Sequence, residues 1–176
     1  MILLFSIIAV TLLALIFVSI KYNKIKNADT GTPAMQAISS AIHEGAIAFL
    51  NKEYTVIVAF GFIVSILLMI FLSMEIALAF VLGASFSALS GNIGMRIATK
   101  ANVRTAAATK KSLNEGLKIA FSSGSIMSLT VVSLGLLGIT LLYIIFKDPR
   151  IIYGFGFGAS SIALFARVGG GIFTKA

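Results

Sequence analysis

The sequence has 176 residues, of which 59% are hydrophobic and only 11% are charged. A soluble domain carries about 25% charged residues, so this composition excludes an ordinary soluble protein and indicates a polytopic membrane protein. The chain contains no cysteine, which excludes disulfides, thiolate metal sites and thiol catalysis. The net charge is +8. Because these charges lie between apolar segments, they fit basic loops at a membrane and not a nucleic-acid interface.

Residues 2–20 form the first uncharged run, which is long enough to cross the hydrocarbon core as a helix. The run lacks the charged start and the small-residue cleavage site of a secretory signal peptide. Three lysines follow it directly (Lys21, Lys24 and Lys26). We therefore expect a retained first helix, with Met1 outside and the lysines in the cytoplasm.

The next segment begins with a turn-rich break in which Thr32 and Pro33 have the residue types of an N-cap and a first helical position. We expect a cytoplasmic amphipathic extension over 34–53 that continues into a membrane span over 54–74. The apolar face of the extension is predicted to contain Ile38, Ile42, Gly45 and Phe49.

A single histidine, His43, lies beside Glu44 on another side of this extension. The pair suggests a metal site or a proton-transfer group. However, the chain has no second histidine, so the HExxH zinc motif is absent. We therefore expect His43 to lie on a solvated helix face without a functional role.

The third span is predicted over 76–95, after a short external connection at Glu75. It contains several glycine, serine and asparagine residues, which allow close packing and hydrogen bonding between helices in lipid. The stretch from Arg96 to Lys118 that follows is strongly basic.

Within this basic stretch, Ser112 and Glu115 have the spacing of a capping box. They predict a fourth helix that has a cytoplasmic extension over 113–118 and a span over 119–146. The polar residues at 147–150 break the chain on the outside, and the fifth span is predicted over 151–173.

Five spans with Met1 outside place twelve of the fourteen Lys and Arg residues in the cytoplasm. The opposite orientation would reverse that ratio and violate the positive-inside rule. The predicted fold is therefore an all-α polytopic membrane protein with five transmembrane helices, an external N-terminus and a cytoplasmic C-terminus.

The fifth span is rich in glycine, but no strand precedes it, so a dinucleotide-binding fingerprint is not indicated. Gly154 and Gly158 form a GxxxG pair that predicts close helix packing. Gly169 to Gly171 would loosen the helix near its end.

Two cations follow in the same span. Arg167 and Lys175 are eight residues apart, about 12 Å along a helix, and Ser160 precedes Arg167 by seven residues. We expect all three on nearly the same side, which suits an anionic ligand above an ion path. The alternative is that both cations only extend toward lipid headgroups.

Four segments carry a family resemblance, and they occur in the family's order. They read EGAIAFLNKEY (44–54), GMRIATKANVRTA (94–106), LNEGLKIAF (113–121) and SSIALFARVGGGIFTKA (160–176). With these segments the chain resembles the N-terminal part of a membrane-integral, ion-pumping inorganic pyrophosphatase. The resemblance covers nearly all of the chain after the first helix.

This resemblance implies hydrolysis of cytoplasmic pyrophosphate with Mg2+, coupled to outward transport of H+ or Na+. By position, Lys175 matches a lysine that binds pyrophosphate. Arg167 matches an arginine at the coupling gate, and Ser160 matches a position near that gate. The resemblance also implies a homodimer, and it leaves open whether K+ is a further cofactor.

The resemblance stops short of the family's metal site, because the aspartates that bind Mg2+ lie in a segment after the position of Ala176. The chain's own acidic residues are expected on loops or helix ends, away from Lys175 (Asp29, Glu44, Glu53, Glu75, Glu115 and Asp148). We therefore expect a fragment that is inactive alone, binds no metal itself and needs the remaining helices of the pyrophosphatase as partners.

A different class of function is a small non-enzymatic membrane subunit or transporter half that oligomerises through its glycine-rich faces. For the pyrophosphatase, the membrane would be the plasma membrane of a prokaryote or the membrane of a vacuole or acidic organelle in a eukaryote. The choice between H+ and Na+ is left open.

Overall fold

The computed structural model describes residues 2–173, which form five α-helices and no strand. The helices are α1 (Ile2–Lys26), α2 (Pro33–Phe71), α3 (Met74–Thr109), α4 (Leu113–Phe146) and α5 (Pro149–Phe173). In this part of the chain all five are long and apolar enough to cross a membrane. The predicted all-α architecture with five spanning helices is therefore confirmed.

Three helices are longer than a bilayer requires. α2, α3 and α4 contain 39, 36 and 34 residues, so each is about 50–60 Å long. The hydrocarbon core is about 30 Å thick, and each helix must therefore project beyond it. At α3 the helix continues to Thr109, well past the end of the span predicted at residue 95. Backbone hydrogen bonds do not depend on lipid, so a helix need not end where the hydrocarbon ends.

The predicted helix starts are confirmed by their capping bonds. The Thr32 hydroxyl accepts a hydrogen bond from the Met35 backbone N–H at 3.4 Å, and Pro33 is the first residue of α2. At α4, the Ser112 hydroxyl accepts from the Glu115 backbone N–H at 3.2 Å. These bonds satisfy donors that the first turn of a helix cannot satisfy internally.

The connection between α4 and α5 is short and polar, as predicted. Lys147 adopts a left-handed conformation (φ 54°) that ends α4. Asp148 then accepts a hydrogen bond from the backbone N–H of Arg150 and pairs with its guanidinium at 2.9 Å. The side-chain hydrogen bond from Arg150, followed by the backbone one, holds the pKa of Asp148 below its ordinary value.

α3 is the central helix, and it packs most extensively on α4 and α5. One buried cluster joins it to α1 and α4, and the other joins it to α4 and α5. The first contains Val18, Ile25, Ile97, Ala101 and Ile126; the second contains Ala79, Leu142, Ile151 and Phe155.

The closest helix contact is between α3 and α5, which run in the same direction. Gly83 lies against the backbone carbonyl of Phe155, and Gly158 lies against the carbonyl of Phe80. A Cβ atom at either glycine would overlap the facing carbonyl. A Cβ at Gly154 would lie 2.6 Å from a backbone oxygen of α3. The close packing predicted for the GxxxG pair is confirmed.

This contact can be tested with two glycines of one helix. We expect Gly158→Ala to destabilise the protein by about 1–3 kcal/mol, because the new methyl group forces α3 and α5 apart. Gly156→Ala is the matched control, since a Cβ there has no atom within 4 Å. The measurement is thermal unfolding in detergent. Equal stability of the two variants would contradict the contact.

Candidate functional site

The α5 residues predicted to be functional lie away from its packed side. The packed stripe contains Ile151, Phe155, Gly158 and Ile162, all of which are buried. Ser160 and Arg167 are both exposed. At about 100° per residue they lie roughly opposite the centre of that stripe.

Neither side chain is used for packing within the described chain. The Ser160 hydroxyl donates to the backbone carbonyl of Phe157 at 3.2 Å, which is a local bond of the same helix. Among residues 2–173, ion pairs form between Lys111 and Asp29 and between Arg150 and Asp148, and neither involves Arg167. The predicted shared face of Ser160 and Arg167 agrees with this arrangement. Lys175 lies outside the described residues.

The C-terminal part of α5 is at the level of the last half of α3. Ala166, next to Arg167, lines a cavity of about 230 Å3 together with Met95 and Ala98. Beyond that level, towards the end of α3, cations from two helices come together. They are Lys24 and Lys26 at the end of α1 and Lys100 and Arg104 of α3. We call this end of the bundle the basic end.

Arg104 links two helices at the basic end. Its Nη2 donates to the backbone carbonyl of Lys26, the last residue of α1, at 2.9 Å, and its Nη1 donates to the carbonyl of Lys100 at 2.7 Å. The Lys100 ammonium in turn donates to the Tyr22 hydroxyl at 3.2 Å. A cation beside the last carbonyls of a helix also favours the helix dipole. The predicted gathering of the basic segments on one side agrees with these bonds.

His43 is not on a solvated face, and that prediction is wrong. The ring is half-buried, and its Nδ1 lies 3.0 Å from the hydroxyl oxygen of Thr99 on α3. When the Thr99 hydroxyl donates to the Met95 carbonyl at 3.0 Å, its oxygen can accept a hydrogen bond from Nδ1–H of His43. His43 therefore joins α2 to α3.

In its first half, the predicted apolar face of the α2 extension is not the side that α3 covers. Ile38 and Ile42 are 64% and 42% exposed, whereas Ala46 and Leu50 are buried. The helix is rotated so that His43 and small residues contact α3. Residue periodicity alone did not indicate which side α3 would cover.

Two acidic residues also differ from the prediction, because Glu44 and Glu53 lie within α2 and not at a helix end. One carboxylate oxygen of Glu53 is buried without a hydrogen-bond partner among the described residues. It lines the same 230 Å3 cavity as Ala166. The neighbouring Tyr54 is satisfied, since its hydroxyl donates to the Ala88 carbonyl at 2.8 Å. A buried carboxylate oxygen without a partner is costly. Sequence reasoning missed this residue because nothing in its spacing marks it.

In residues 2–173, no group of three or more His, Cys, Asp or Glu side chains is arranged to hold a metal ion. Mg2+ requires several oxygen ligands in near-octahedral geometry. The described residues therefore do not fit a Mg2+ site of their own.

Comparison with known proteins agrees with the family resemblance of the four sequence segments. The family model described as inorganic H+ pyrophosphatase matches residues 12–176. The chain is 48% identical over 165 residues to a putative K(+)-stimulated pyrophosphate-energized sodium pump of Clostridium tetani, covering 93% of the chain and 24% of that protein. It is 46% identical over 173 residues to the K(+)-insensitive pyrophosphate-energized proton pump 2 of Moorella thermoacetica, covering 94% of the chain and 25% of that protein.

A third relative is the K(+)-insensitive pyrophosphate-energized proton pump of Methanosarcina mazei. The chain is 44% identical to it over 167 residues, covering 94% of the chain and 25% of that protein. The chain thus spans about a quarter of the length of the curated relatives it matches.

The basic end gives a second stability prediction. Arg104→Gln removes two charge-assisted bonds, to Lys26 and Lys100, and should destabilise the protein by about 1.5–3 kcal/mol. Arg96→Gln is the control, because Arg96 is exposed and bonds only to Asn92 of its own helix. The control should stay within about 0.5 kcal/mol in unfolding measurements. Equal losses would show that Arg104 does not link α1 to α3.

Proposed function

The chain belongs to the inorganic H+ pyrophosphatase family, and on that premise we propose that it is the N-terminal part of a membrane pyrophosphatase. The complete protein would couple hydrolysis of pyrophosphate at the cytoplasmic face to outward transport of H+ or Na+. The observation that carries this proposal is the family match over residues 12–176, in a chain whose described helices can cross a membrane.

The relatives support pumping without choosing the ion. A putative sodium pump and two proton pumps are 44–48% identical to the chain. The sodium pump is named K(+)-stimulated, and the two proton pumps are named K(+)-insensitive. The proposal therefore covers either ion, and K+ as a cofactor stays open. A small non-enzymatic subunit is not favoured, because these relatives are pyrophosphate-energized pumps about four times as long.

We propose that Lys175 binds pyrophosphate, by its position in the family segment at 160–176. An ammonium is a suitable point charge for a phosphate group. Fixed cations also stabilise the charge that develops on a transferring phosphoryl group, provided that they are held in place before the reaction.

Arg167 is proposed as the coupling residue, with Ser160 nearby. A guanidinium within a membrane-spanning helix must face protein or water, because hydrocarbon does not solvate it. Its exposed position, opposite the packed stripe of α5, leaves it available to the rest of the protein. A carboxylate from another helix would pair with Arg167, and forming or breaking that pair would accompany ion transfer.

The Mg2+ ligands are proposed to come from the remaining helices, since residues 2–173 contain no suitable cluster. Those helices would complete the site, so the 176-residue chain alone would not hydrolyse pyrophosphate. A homodimer of the complete protein is also proposed. The chain is an integral multi-pass membrane protein, and the orientation and the particular membrane are part of the proposal.

The role of Lys175 is tested in the complete protein. We expect Lys175→Ala to lower pyrophosphate hydrolysis by about 100-fold or more, as the loss of one preorganised charge does elsewhere. Lys110→Ala is the control, because Lys110 is exposed at the end of α3. Turnover that is unchanged in Lys175→Ala would remove this role.

The role of Arg167 predicts a different defect. In vesicles containing the complete protein, Arg167→Gln should lower the number of ions moved per pyrophosphate hydrolysed by about tenfold or more, because hydrolysis would continue without ion transfer. Ser160→Ala should have a smaller effect. Parallel loss of hydrolysis and transport in Arg167→Gln, with an unchanged ratio, would argue against a coupling role.

A further inference from the structure

A large groove lies between the end of α1 and the start of α4. Its volume is about 950 Å3, and α1 contributes Lys21, Lys24 and Ile25 to its lining. From α4, Lys118 and Phe121 face it. Phe121 is 71% exposed, so the groove is open on the side away from α3. None of these residues has a part in the proposed pyrophosphate chemistry.

Two of the lysines mark the edge of the hydrocarbon. Lys21 is the first charge after the uncharged run 2–20, and Lys118 is the last charge before the uncharged run 119–146. α1 ends and α4 begins at the basic end, so the two ammonium groups mark the same membrane boundary. Phospholipid phosphates lie at this boundary.

The groove carries excess positive charge. It is lined by three lysines and one acidic residue, Glu115. Neither ion pair found among residues 2–173 involves any of the three lysines. The Lys21 ammonium lies 5.3 Å from the centre of the Phe17 ring, which leaves its N–H groups able to reach an anion.

The groove continues toward the middle of the membrane. A second cavity, of about 550 Å3, shares Phe121 and Ser125 with the first and is also lined by Phe17, Gly124 and Leu129. No atom lies within 4 Å of the position that a Cβ of Gly124 would take. This second cavity is open and largely apolar, and it lies at the depth of the acyl chains in a bilayer.

From this arrangement we propose that the α1–α4 groove binds an anionic phospholipid. Its phosphate lies among Lys21, Lys24 and Lys118, and one acyl chain follows Phe17 and Gly124. Basic pockets between transmembrane helices recognise anionic headgroups by this combination of charge and depth. The site is independent of the proposed pyrophosphatase activity.

The test uses the complete protein, purified in a neutral detergent, with lipids added before native mass spectrometry. We expect phosphatidylglycerol to bind in preference to phosphatidylcholine. Lys21→Gln combined with Lys118→Gln should weaken phosphatidylglycerol binding by about 25-fold, or about fivefold for each lysine. Binding of phosphatidylcholine should change little.

The matched control has the same loss of charge elsewhere. Lys52 and Lys110 are both exposed and do not line the groove, so Lys52→Gln with Lys110→Gln should leave phosphatidylglycerol binding intact. Thermal unfolding verifies that each variant is folded. Equal weakening in both double variants, or no preference for phosphatidylglycerol in the unmodified protein, would overturn the proposal.

Two further measurements separate a lipid from a free anion. Gly124→Leu should fill the acyl cavity and weaken both lipids, whereas Gly61→Leu, at an equally open glycine of α2, should not. Millimolar inorganic phosphate should fail to displace phosphatidylglycerol. Displacement by phosphate, with unchanged binding in Gly124→Leu, would assign the lysines to a soluble anion and overturn the lipid site. If Gly124→Leu does not fold, the lysine variants and the phosphate competition decide.

Discussion

The close approach of α3 and α5 is the constraint on which the arrangement of this protein depends. Gly83 and Gly158 each face a backbone carbonyl of the other helix, and even a Cβ atom at either position would overlap that carbonyl. Moving an apolar side chain from lipid into a helix interface changes its free energy little, because both surroundings are apolar. Close backbone contact is therefore a main source of helix association in a membrane. Because this contact fixes the rotation of α5, it also directs Ser160 and Arg167 to the opposite side.

The two ends of the bundle are held together by different interactions, local caps at one end and hydrogen bonds between helices at the other. At one end, short connections with local caps suffice, as at Asp148. At the basic end, Arg104 binds the last carbonyl of α1, and His43 binds Thr99 across two helices. Both contacts lie at the end of the bundle where the charged side chains of α1 and α3 gather. Lys100 and Arg104 are half-buried there, and they bond to the Tyr22 hydroxyl and to backbone carbonyls.

Much of the apolar surface of the described helices is uncovered, and α1 and α2 are the most exposed of them. Such a surface would be an aggregation hazard in water, but lipid or further helices cover it in a membrane. The groove between α1 and α4 differs from this general surface, since three lysines surround its wide end. The lysines at the headgroup level match the phosphate of a phospholipid, and the apolar space below them matches an acyl chain.

The sequence by itself determined the five helices and two of their N-caps, but not the turn between α2 and α3. Glu75, expected in that connection, lies in the first turn of α3 after the N-cap Ser73. Long uncharged runs leave only helices in hydrocarbon, because every backbone polar group must be satisfied within its own segment, and Thr32 and Ser112 identified two starts from local chemistry. The Gly154–Gly158 pair likewise predicted a close contact. Only the tertiary structure decided the partner of each helix face. The α2 face against α3 contains His43 and Ala46 instead of Ile38 and Ile42, and Glu53 lies in a cavity made by other helices. In a membrane both lipid and neighbouring helices accept apolar side chains, so hydrophobic periodicity cannot distinguish the buried side of a helix from the lipid-facing side.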